Sequence, residues 1–385
     1  MNQMPPLLTA GFRPFFLAAA TWSVLALAAW LAMFSAGIDL PSRFDPMTWH
    51  IHEMLFGFIM AAVGGFLLTA IPNWTNRAPV AGTPLAVLAA LWLLGRLACL
   101  TSAMLPGWLA PVADLAFPLA LEAVAARELL AVGNRRNYPL LAPVMVLAIA
   151  NLLMHLQALG VAIPIGLGWR LGIAAVSTLI AVIGGRIAPA FTRNWLRLRG
   201  IPDLPPPSGV LDRTALGALI AGMIGWTFLP DWQPIGVLLL IAAALNAARL
   251  AGWRGIATHP EPLLLILHVG HLWLVTGIAL LGVSLLTDAV PVAAAVHALT
   301  AGAMGTMILA VATRATLGHT GRTLHADAAT TTIYGLVSAA AALRVLAAWP
   351  IDMQTDLIAV SGLAWIGAFA MFLVTYGPIL LARGK

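Results

Sequence analysis

Nine histidines stand in a chain that is 61% apolar and only 9% charged, and they are the residues best able to do chemistry. His50 and His52 lie in Trp49-His50-Ile51-His52-Glu53-Met54, and His268 and His271 in Leu267-His268-Val269-Gly270-His271-Leu272-Trp273. His155 and His297 fall inside long apolar runs, His319 closes one, and His259 and His325 fall between runs. An ionisable side chain in the centre of a bilayer costs about 3 kcal/mol or more, so each needs a partner or a purpose. Imidazole is a common ligand for haem iron, copper and zinc. Several neutral imidazoles converging from different helices are what a buried haem or metal site requires.

The elements that must position these rings are membrane helices. A span needs about 20 mostly apolar residues to cross some 30 Å of hydrocarbon. The sequence predicts twelve, at 15–37, 49–71, 84–105, 110–131, 138–163, 167–191, 214–230, 233–253, 262–286, 292–317, 328–349 and 355–381. The expected fold is therefore all-α, a polytopic integral membrane protein, with residues 1–385 forming a single twelve-helix transmembrane domain. A mean hydropathy of +0.95 excludes a soluble enzyme. It also argues against nucleic acid as a partner, because the net charge of +6 is scattered between apolar runs rather than gathered on a solvated face. The lipid bilayer is the expected surrounding. No cleavable leader is read at the N-terminus. The single cysteine, Cys99, excludes a disulfide framework, an iron–sulfur cluster and a Cys-x-x-Cys-His haem attachment.

Orientation follows from the arginines. Arg13, Arg77, Arg127, Arg135, Arg136, Arg193, Arg197, Arg199, Arg213, Arg249, Arg254, Arg314, Arg322, Arg383 and Lys385 fall on one side of the twelve spans, Arg43 and Arg170 near the other. The bias of short loops puts both termini in the cytoplasm and the longest connection, about 192–213, on the same side. Helix rise then places His50 and His52 about 12–15 Å above the mid-plane, His297 about 10 Å and His155 about 7 Å above, and His271 about 5 Å below. His50 and His52, two residues apart, point opposite ways, so they can serve two centres. His268 and His271 share a face one turn apart, which suits two ligands of one ion. Gly270, Gly302 and Gly305 leave room for a flat macrocycle or a neighbouring helix.

Other buried polar groups fit around these. Glu53 can orient an imidazole or deliver protons. Arg96 and Glu122, on consecutive antiparallel helices, are expected to pair. Arg186 and Arg344 suit haem propionates or snorkelling. His259, His319 and His325 read as interfacial. Met54, Met154, Met304 and Met307 read as packing, with soft copper ligation the alternative.

Gly11-Phe12-Arg13-Pro14-Phe15-Phe16, the Trp49–Gly57 block and Pro72-Asn73-Trp74-Thr75 resemble the opening of the NnrS family. His268-Val269-Gly270-His271-Leu272-Trp273, and the run from His297 through Gly302, Gly305 and Arg314 to Gly318-His319-Thr320-Gly321-Arg322, are similar to its later motifs. The resemblance implies a bacterial inner-membrane protein of nitric oxide metabolism that contains haem and copper. Carried onto this sequence, it implies cofactor or metal ligation by His50, His52, His268, His271 and His297; His155 is added on depth alone. The leading expectation is an enzyme reducing nitric oxide to nitrous oxide at a haem–haem or haem–copper site with b-type haem. Electrons would come from a quinol or an external cytochrome, and protons through Glu53 or along Glu122. Two other readings are a non-catalytic haem protein that senses or protects against nitrosative stress, and a metal or small-molecule transporter with a histidine site.

Overall fold

The structure, a computed structural model, describes residues 4–382. Among these there is no strand. Twelve long helices run in chain order: α1 Phe12–Ala36, α2 Pro46–Thr75, α3 Thr83–Leu100, α4 Leu109–Ala131, α5 Tyr138–Ala158, α6 Leu167–Arg197, α7 Val210–Phe228, α8 Gln233–Ala251, α9 Pro262–Ser284, α10 Val292–His319, α11 Ala328–Leu346 and α12 Gln354–Leu381. Lipid offers no partner for a backbone N–H or C=O, so an apolar chain of this length must satisfy its own, and helices do so segment by segment. Eleven of the twelve are long and apolar enough to cross a membrane. The exception, α7, carries Asp212 and Arg213 in its first turn. The expected basic connection at 192–213 is shorter than foreseen, because α6 continues to Arg197 and α7 begins at Val210. Arg383 and Lys385 lie outside the described residues.

Helix starts are set by side-chain caps. Asp45 accepts from the Met47 and Thr48 amides at 3.0 Å each, with Pro46 opening α2. Glu261 accepts from Leu263 N (3.2 Å) at the head of α9, and Asp327 from Thr330 N (2.8 Å) at the head of α11. These oxygens replace the missing intrahelical acceptors of the first turn.

The second, sixth and tenth helices share a device. They have 30, 31 and 28 residues, and each contains a stretch of i→i+5 (π) hydrogen bonding: Glu53–Ile59, Ile180–Gly184 and Ala298–Met304. A π-turn adds a residue to the coil and frees carbonyls. Side-chain donors also reach carbonyls in or beside these stretches: Trp92 Nε1 donates to Gly57 O (2.9 Å), which also accepts from the Met60 N–H, Arg249 donates to Ala181 O (3.2 Å), and Thr300 Oγ1 donates to Val296 O (2.8 Å). Two of the stretches begin at the residue after a histidine, His52 in α2 and His297 in α10.

The chain groups into two compact units. The first comprises Met1–Ala175, Ala315–Thr323 and Phe369–Lys385, and therefore α1–α5, the start of α6, the last turn of α10 and the end of α12. Arg13, only 4% exposed, donates within it to Leu380 O (2.8 Å) and Ala382 O (2.6 Å), a cation on the carbonyl end of α12. The second unit comprises Val176–Arg314 and Leu324–Ala368. There the room at Gly302 and Gly305 is taken by indole rings: a Cβ at Gly302 would meet Trp273, and one at Gly305 would meet Trp365.

Candidate metal and cofactor sites

In the first unit, α2 and α4 begin, and α3 and α5 end, at one end of the bundle, so polar residues a few positions from those termini meet. His52, Cys99, Asp114 and His155, one from each helix, offer ligand atoms that all lie within 4.8 Å of one another, and all four residues are buried. The Asp114 carboxylate is the hub. Its Oδ2 lies 3.2 Å from His52 Nε2 and 3.0 Å from His155 Nε2, and accepts from Asn151 Nδ2 at 2.9 Å. Cys99 Sγ stands 4.0 Å from His155 Nε2. Asn151 and His155, four residues apart on α5, share a face, so one helix supplies both.

Further buried polar side chains hold these four in place. Arg96 donates to both oxygens of Glu53 (2.9 and 2.8 Å) and to Asp114. Glu53 Oε1 lies 3.0 Å from His52 Nδ1, and Trp22 Nε1 donates to Oε2 at 2.7 Å. The geometry is that of an imidazole oriented by a carboxylate. Gly95 makes the hairpin close enough: a Cβ there would sit 2.8 Å from Asp114 Oδ1. The expected Arg96–Glu122 pair does not form. Arg96 is four residues from the end of α3, and its counterpart across the turn is Asp114, five residues into α4. Glu122 lies eight residues further along, about 12 Å away in helix rise, and its Oε2 is buried without a hydrogen bond.

His50 points the other way from α2, its ring stacked on Trp30 of α1 at 4.4 Å between centroids. His52 instead faces Phe44 (4.6 Å), Phe56 (5.2 Å) and the ring of His155 (5.0 Å). The two-residue spacing thus separates the rings before the π-turn begins at Glu53.

In the second unit, His268 and His271 sit one turn apart near the start of α9. His271 Nδ1 donates to Leu267 O at 3.2 Å, which leaves the Nε2 lone pair bare; that atom is buried and has no hydrogen-bond partner. It faces Gly184, at the end of the α6 π-stretch, where a Cβ would sit 3.1 Å from Nε2, 2.3 Å from Cε1 and 2.9 Å from the Met307 methyl. His268 Nε2 pairs with Thr192 Oγ1 at 2.9 Å, while its Nδ1 is buried without a partner. Trp253 lies 4.7 Å from the His271 ring, edge to face, and 6.3 Å from His268. His297, at the end of the regular turns of α10, pairs its Nδ1 with Ala293 O at 2.7 Å.

The interfacial histidines have structural partners. His325 Nδ1 lies 2.9 Å from Glu261, the cap of α9, and the His319 ring packs tilted against Phe12, 5.6 Å between centroids. Asp114, Asn151 and Cys99 are the site residues that sequence reasoning passes over. An aspartate inside an apolar run was the available signal, by the rule that picks out the histidines.

Helical, polytopic and furnished with buried imidazole, thiol and carboxylate donors, the molecule is a membrane-embedded protein with groups able to bind a metal or haem. The family model described as NnrS protein matches residues 6–383, and the chain belongs to the NnrS family, which is associated with nitric oxide. No curated protein matches the chain.

Proposed function

We propose that this is a haem-containing nitric oxide reductase of a bacterial inner membrane, with both termini cytoplasmic and its ligands drawn from transmembrane histidines. The observation that carries the reading is the bare Nε2 of His271, buried without a hydrogen-bond partner where Gly184 lets the ring and the Met307 thioether pack against the α6 backbone. A lone pair of that kind is costly in lipid unless something accepts it. His268 Nδ1 adds a second donor on the same helix face, and the Met307 thioether beside Gly184 would suit a copper partner. The residues therefore fit an imidazole-ligated group. His50 and His297 stand as further ligands, and His52 and His155 belong with the donors around Asp114.

Haem iron, alone or with copper, supplies when bound a place for nitric oxide and a route for electrons. The net reaction joins two nitric oxide molecules with two electrons and two protons into nitrous oxide and water. The protein's own residues orient and exclude. Leu267 O fixes the His271 tautomer, Thr192 holds the His268 ring, and Trp253 covers both. Nitric oxide is small, neutral and lipid-soluble, so it needs no polar channel. Electrons would arrive from a quinol or an external cytochrome, and protons from the side on which Glu53 lies. Purified protein supplied with a quinol should consume nitric oxide at an electrode and release nitrous oxide. Haem-loaded protein that leaves nitric oxide untouched with every reductant would make it a binder instead.

A further inference from the structure

His52, Cys99 and His155 gather around Asp114 as a ligand shell does, and we infer that these four residues bind one tetrahedral divalent ion of the zinc class, separate from any haem. Nitrogen and oxygen ligands stand about 2.0–2.2 Å, and sulfur about 2.3 Å, from zinc, which sets tetrahedral edges of about 3.3–3.7 Å. The distances here straddle those edges: 3.0 Å from His155 to Asp114, 3.2 Å from His52 to Asp114, and 4.0 Å from Cys99 to His155. All four ligand atoms lie within 4.8 Å of one another, so an ion at the centre would draw the widest edges in by up to about 1 Å and take His52 Nε2 from Asn151 Oδ1, 2.9 Å away.

Charge is compatible with such an ion once Cys99 is a thiolate and both imidazoles are neutral, as ligation requires. With Cys99 as thiolate, Glu53, Asp114 and Cys99 carry three negative charges against the one positive charge of Arg96, all of them buried. A divalent cation balances the remaining two. An isolated buried charge is expensive, so this balance matters in a bilayer. The donor set, two imidazoles with a thiolate and a carboxylate, suits zinc or cobalt and offers no open fourth position, as in structural sites. Outer partners are already in place, with Glu53 on the Nδ1 of His52 and Asn151 on Asp114. Such an ion would tie the beginnings of α2 and α4 to the ends of α3 and α5. This inference does not rest on the haem reading.

Cobalt is the probe. Metal-depleted full-length protein in detergent is titrated with Co(II). The expected result is one ion per chain with the strong d–d absorption of four-coordinate cobalt and a thiolate-to-cobalt charge-transfer band, both abolished by zinc. Because Cys99 is the single cysteine, that band reports this site alone. Cys99→Ser should lose the band and bind cobalt at least about tenfold more weakly, and His155→Ala should lose both features. His271→Ala should keep both, whatever becomes of haem, so the two readings fail separately. Circular dichroism checks that each variant stays helical; if one does not, the wild-type band and its loss to zinc still decide. Wild-type protein that shows no thiolate–cobalt band, or a band that survives in Cys99→Ser, would overturn the inference.

Discussion

Arg96 is 1% exposed and divides its guanidinium between Glu53 and Asp114, so its removal would leave two carboxylates buried with no cation between them. Breaking a buried pair from one side costs about 3–5 kcal/mol. Arg96→Met should therefore lower the unfolding midpoint in detergent by far more than Arg344→Met, at a residue with no ion pair of this kind; equal shifts would mean that the network contributes little. At this scale the sequence was only partly legible. The histidines stood out because polar residues are rare in apolar runs, and the opposite facing of His50 and His52 followed from a rotation of about 100° per residue. Which acid meets Arg96 did not follow, because that depends on counting from the turn between α3 and α4. The bare Nε2 of His271 was also hidden, since it depends on where Gly184 and Leu267 O lie in space.

Helix boundaries were legible to within several residues, because apolar length and Pro- or Asp-led starts are written locally. The π-stretches were not. No local pattern of the sequence announces them, although a neighbouring helix reaches one of them, where Trp92 donates to Gly57 O. Caps give a direct test of how α11 is held. Asp327 accepts from the backbone N–H and hydroxyl of Thr330, and these bonds, the backbone one first, hold its carboxyl below the ordinary carboxylate range. Its contribution is thus fully present above the unfolded pKa of about 3.9 and is lost as pH falls through the lower folded value. Asp327→Ala should cost about 1 kcal/mol at neutral pH, with the difference from wild type shrinking in acid. Thermal unfolding of the two proteins between neutral and acid pH measures it, and a difference that grows in acid would contradict the assignment.

The arginine bias of the connections is expected to give the chain a direction in the membrane, with both termini cytoplasmic. A cysteine placed at Asp203 in the α6–α7 connection should resist an impermeant thiol reagent added to intact cells, and one at Asp288 between α9 and α10 should react. The reverse pattern would turn the topology over. Histidine-bearing helices with π-turns recur at the second and tenth positions, and the sixth supplies the glycine that faces His271. This spacing by fours does not suit the two repeated halves expected of many transporters. The central claim is that buried imidazoles in this bundle hold haem, with His271 among the ligands. Haem per chain, measured on purified wild-type protein and on His271→Ala, tests it most directly. The account predicts pigmented wild-type protein and a clear loss of haem, or of one haem's spectrum, in the variant. Colourless wild-type protein, or a variant with the wild type's haem content and spectrum, would contradict it.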